Sequence, residues 1–87
     1  MPGEDIVILG LADLEQGRET VYSLLVSIGA SRLRSAGIVV PDSTFDSPEL
    51  RLYKLLCIKH DNAAHAHYNL LIRQLVRFER AAEKACP

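Results

Sequence analysis

Between residues 5 and 36 the apolar positions keep a helical period. Val7, Leu14, Val21 and Ile28 recur every seven residues, with Leu11, Leu24 and Leu25 beside them on the same side of a helix. The end of this segment is legible. Gly37 suits the left-handed position after a last helical turn, and Ile38 can reach back to Leu33, the apolar contact of a Schellman stop, which places the helix end near Ala36. A continuous helix from about residue 5 is therefore expected. The alternative is an α/β arrangement, because Ile6-Val7-Ile8-Leu9 (6–9) and Ile38-Val39-Val40 (38–40) are rich in β-branched residues and fit two short strands flanking one helix. Two such strands make a poor sheet, and residues 48–85 offer no third.

The second half begins after a cluster of turn formers, Gly37, Pro41, Asp42, Ser43, Asp46, Ser47 and Pro48. Ser47 is placed to cap a helix and Pro48 to occupy its first position, where a missing N–H does no harm, with Glu49 favourable in the first turn. Leu50 to Ile58 is apolar on most sides, with only Arg51 and Lys54 marking a wet strip, so cover from more than one direction is expected. At Asp61-Asn62 the pattern loosens: either this pair caps a new helix or it rides on a continuous one. From Ala64 the period returns as Tyr68, Leu71, Leu75, Phe78 and Ala82, widened by Ile72 and Val76.

These elements predict an all-α fold: an antiparallel helical hairpin of two long arms, the second bent or broken near residue 61. At 1.5 Å per residue each arm would run to roughly 48 Å. Chains of this size bury only about 60% of the surface they expose when unfolded, so a second copy is expected to complete a four-helix-type bundle as a homodimer. The expected contact surface is Val7, Leu14, Val21 and Ile28 with Leu52, Leu55 and Leu56. Gly10 and Gly17 either admit a neighbouring helix closely or mark a bend or break.

Composition changes this picture little. With 48% apolar and 24% charged residues the chain has material for a core, and a net charge of −1 supplies no global attraction to nucleic acid or anionic membranes. The acidic start Glu4-Asp5 and the short apolar run after it do not resemble an export signal, and no apolar run approaches the roughly 18 residues of a membrane span. A cytoplasmic protein is expected, with Cys57 and Cys86 as thiols rather than a disulfide.

Candidate chemistry is sparse. Cys57, Asp61 and His65 fall at i, i+4 and i+8 and would present three ligands to one metal ion on an unbroken helix, with His60 and His67 nearby. The spacing matches no standard zinc pattern, and a buried cysteine beside surface histidines explains it more simply. Leu55, Leu56 and Ile58 around Cys57 suit a core thiol rather than a nucleophile, and no glycine-rich phosphate cradle is present, so neither an enzyme nor a cofactor is implied. Arg73, Arg77, Arg80 and Lys84 form a basic line that fits phosphates or an acidic partner, although no aromatic side chain interleaves with it for base stacking and a solvated helix face explains it more simply. In a straight hairpin Arg32 and Arg34 would lie at the opposite end from Lys84. The resulting expectation is a small non-enzymatic interaction or regulatory module, acting through self-association and an unidentified protein partner. Nucleic-acid binding and metal binding are the alternatives.

Overall fold

A computed structural model describes residues 3–85. The fold is all-α: α1 (Glu4–Glu15), α2 (Val21–Ile28), α3 (Ala30–Ser35), α4 (Pro48–His60), a 3₁₀ turn (Asp61–Ala63) and α5 (Ala64–Ala85), with no strand among the described residues. Residues 6–9 lie within α1, and residues 38–40 run as irregular chain rather than as a strand. Arg34 Nη2 clasps that segment by donating to the Pro41 carbonyl at 2.7 Å. The thiol expected at Cys86 lies outside the described residues.

The first arm is not one helix, because the chain stops at Gly17 and folds back. Gly17 is left-handed (φ 72°). Its N–H donates to Leu14 O at 3.0 Å, while the Arg18 N–H reaches Asp13 O at 2.8 Å, the bond pair of a Schellman stop. Helix α2 then restarts with a capping box. Thr20 Oγ1 accepts from the Ser23 N–H at 3.1 Å, and Ser23 Oγ accepts from the Thr20 N–H at 2.8 Å. The Thr20 hydroxyl also donates to Asp13 Oδ2 at 2.8 Å, tying the end of α1 to the start of α2. A seven-residue apolar repeat survives this reversal, since α1 folded onto α2 buries the same residues that a straight helix would line up.

Each glycine answers one of the two readings open to it. Gly17 marks the break. Gly10 admits a close helix, but the neighbour is the chain's own α2: a Cβ there would stand 2.4 Å from Tyr22 O and 2.5 Å from Val26 Cγ2. The stop at Gly37 (φ 90°) follows the expected geometry, with Ile38 N–H to Leu33 O at 2.9 Å, Gly37 N–H to Arg34 O at 3.0 Å, and Ile38 packed against the core that holds Leu33.

Helix α2 is the centre of the molecule, packed chiefly between α1 and α4. Leu24, Leu25 and Val26 are wholly buried, as is Leu33 of α3. Its two buried serines spend their hydroxyls on backbone: Ser23 Oγ donates to Arg18 O at 2.7 Å, and Ser27 Oγ donates to Ser23 O at 2.9 Å while accepting from the Phe45 N–H at 3.4 Å. The bond from Phe45 fastens the 37–47 connection to the core.

Helix α4 begins as expected with Pro48 in its first turn, but Ser47 is left-handed (φ 46°) and makes no side-chain cap. The second arm breaks at Asp61, whose φ of 51° and ψ of −115° cannot continue a helix. Helix α5 consequently turns back beside α4, bringing Tyr68 to 5.9 Å from Tyr53, ring to ring. With both arms folded back, the described residues span 42 × 24 × 19 Å rather than forming two straight rods.

Candidate interaction site

The residues expected to meet a second copy face inward. Val7, Leu14, Leu52 and Leu56 are buried in the chain's own core, and Val21, Ile28 and Leu55 are half-buried against it. The reason is the double fold-back: α2 and α5 supply from within the chain the cover that straight arms would have needed from outside. Val7, Leu14, Leu52 and Leu56 therefore offer no surface to a second copy in this fold.

The apolar girth of α4 is nevertheless not wholly covered. Leu52 and Leu56 point into the core, whereas Leu50 and Ile58 remain 55% and 82% exposed. Eight residues apart, they lie on one outer face, about 12 Å from each other along the helix. Lys54 sits midway between them, and the exposed Tyr53 and half-buried Cys57 flank the line. The edge of Tyr53 packs on Tyr68 and, at 6.5 Å, on the His65 ring, which holds its side chain along the α4–α5 seam. Period counting alone does not identify this stripe, because most sides of residues 50–58 carry apolar residues and only packing tells which side is left over.

The Cys57, Asp61, His65 register is broken by the positive φ at Asp61, after which the chain passes through a 3₁₀ turn. Among the described residues no group of three or more His, Cys, Asp and Glu side chains is arranged to hold a metal ion. Of the histidines flanking that register, the fold brings His60 and His67 together instead, stacked with ring centroids 3.8 Å apart and planes 18° from parallel. In that arrangement the in-plane lone pairs run side by side rather than converging on one ion.

The stacked pair lines a cleft of about 710 Å³ between the α1–α2 turn and the α4–α5 corner. Its apolar lining comes from Val21, Leu55, Leu70 and Leu71. One rim carries Lys59, His60 and His67, and the opposite rim Asp13 and Glu19. Both acids are engaged within the chain, Asp13 by the Thr20 hydroxyl at 2.8 Å and Glu19 by Arg51 Nη1 at 3.4 Å.

Arg73, Arg77, Arg80 and Lys84 are all exposed along one face of α5. Contrary to the straight hairpin, α3 packs near the end of α5, so Arg32 lies beside Lys84's neighbour Glu83, to which its Nη2 donates at 3.1 Å. Arg32 Nη1 also stands 3.7 Å from the buried carboxylate of Glu79. Burial raises the Glu79 pKa above the ordinary carboxylate value, Arg32 opposes the rise, and Glu83 adds to it. Glu79 escapes a reading based on apolar spacing, although its position four residues after Leu75 and beside Phe78 put it on the core stripe. Burial also raises the phenol of Tyr68, helped by the negative charge of Glu49. No described helix is long and apolar enough to cross a membrane.

Compared with known proteins, the chain matches no family model, no curated protein and no solved structure.

Proposed function

We propose that the protein is a small non-enzymatic interaction module that docks a protein partner on the outer face of α4. The observation that carries this reading is the exposed pair Leu50 and Ile58, aligned on one helix face around Lys54 while the same helix buries Leu52 and Leu56. An ammonium between two apolar anchors fits an amphipathic partner segment with an acidic residue between two apolar ones. It fits a second copy less well, since a two-fold contact centred on the stripe brings two Lys54 ammoniums together. A photo-crosslinking residue at position 58, compared with one at Arg77, tests the docking face. Crosslinks to one acidic, amphipathic segment from position 58 only, weakened by Lys54→Glu and restored by reversing the partner's acid, are the expected result. No crosslink from position 58 defeats the proposal. A dimer in sedimentation equilibrium that dissociates on Ile58→Asp reassigns the face to self-association.

A second reading, nucleic-acid binding, is supported by four exposed cations on one face of α5, Arg73, Arg77, Arg80 and Lys84. Affinity that falls steeply with salt and is lost in the Arg73→Gln, Arg77→Gln double variant would favour it, and absence of a gel shift at low salt removes it.

A further inference from the structure

We infer that the cleft at the α4–α5 corner binds an amphipathic organic carboxylate, its apolar body on the leucine lining and its charged end at Lys59, His60 and His67. The volume, about 710 Å³, lies in the range of small-ligand sites, and the lining has their usual composition: apolar side chains with few polar groups, placed at one edge. The sign of the ligand's charge follows from what the rim groups already do. Asp13 accepts the Thr20 hydroxyl and Glu19 pairs with Arg51, so Glu19 has its charge partner inside the chain and Asp13 already holds one hydrogen bond. On the basic rim, the ion pairs among the described residues leave Lys59 without a carboxylate, and the two imidazoles meet only each other, face to face. Face-to-face stacking leaves the ring edges of both imidazoles, which carry their N–H donors, free of each other, and Lys59 lines the same cleft. An anion therefore finds an ammonium with no carboxylate of its own, whereas an amine would meet one acid already paired with Arg51 and one already accepting from Thr20. Leu70, half-exposed at the cleft wall, is apolar surface that such a ligand would cover.

Decanoate, decanol and decylamine, which share one apolar body and differ in the end group, test this by amide chemical-shift titration of the isotope-labelled full chain. Decanoate is expected to bind about tenfold more tightly than decanol, the worth of one charge-assisted hydrogen bond set. Its shifts should gather at residues 59, 60, 67, 70 and 71. Lys59→Gln, an exposed change whose folding is checked by circular dichroism, should remove most of that advantage and leave decanol unchanged. Leu70→Gln should weaken both. Equal binding of decanoate and decylamine, shifts centred on Leu50 and Ile58 instead, or no saturable shift with decanoate would each overturn the inference. Because Lys59 and Leu70 lie off the Leu50–Ile58 stripe, partner docking and carboxylate binding fail independently.

Discussion

Gly29 faces the Glu79 carboxylate across the contact of α3 with α5, and a Cβ at position 29 would stand 2.6 Å from Glu79 Oε2. The missing side chain is what gives the buried acid its room. The cost of taking this carboxylate out of water is offset only in part by Arg32 at 3.7 Å.

That relationship sets a pH dependence. Burial lifts the Glu79 pKa above 4.5, the value of the unfolded chain, so the folded state holds the proton more tightly. The stability from protonated Glu79 is fully present below the unfolded value and is lost as pH rises through the folded one. Urea midpoints of the native chain and of Glu79→Gln, measured from mildly acidic to neutral pH, should diverge, with the native chain losing ground to the variant as pH rises. A pH-independent gap between them contradicts the assignment.

Gly10 and Gly17 should respond differently to alanine. At Gly10 the added methyl meets Tyr22 O and Val26 Cγ2, so α1 must move off α2, at about 1–3 kcal/mol of overpacking against a helix-propensity gain of about 1 kcal/mol. At Gly17 nothing lies within 4 Å, and the cost is the left-handed backbone alone, about 1–2 kcal/mol. Spectroscopy separates them further: Gly10→Ala should shift amides along both helices, Gly17→Ala only around the turn.

Asp61→Gly should stabilise the chain by about 1 kcal/mol, because φ 51° with ψ −115° is strained for a residue with a Cβ and free for glycine. Equilibrium denaturation checks the sign. A destabilised variant would mean that the carboxylate itself holds the α4–α5 corner.

Thr20→Ala removes both halves of a junction, the cap of α2 and the bond to Asp13, and should cost about 1–2 kcal/mol. Leu24→Ala empties a wholly buried site in α2 and should cost about 2–5 kcal/mol. If Thr20→Ala proves as costly as Leu24→Ala, the turn contributes more to the fold than its two hydrogen bonds explain.

Local chemistry in the sequence determined the all-α class, the Gly37 stop with its Ile38–Leu33 contact, the start at Pro48 and the core stripe Leu75, Phe78 and Ala82. These depend on period, glycine handedness and capping, which act within a few residues. The polar run from Glu15 to Thr20, with Gly17 inside it and Thr20 before an apolar segment, carried the first break as well, but the seven-residue repeat across it is the same for a straight helix and a folded one. Only tertiary structure decided that Gly10 admits the chain's own α2, that Leu52 and Leu56 are core while Leu50 and Ile58 are left outside, and that His60 pairs with His67 across the corner instead of Cys57 with Asp61 and His65. Each of those outcomes depends on which helix covers which face, a relation between residues far apart in the chain. A helix that is apolar on most sides does not announce which side will find a neighbour.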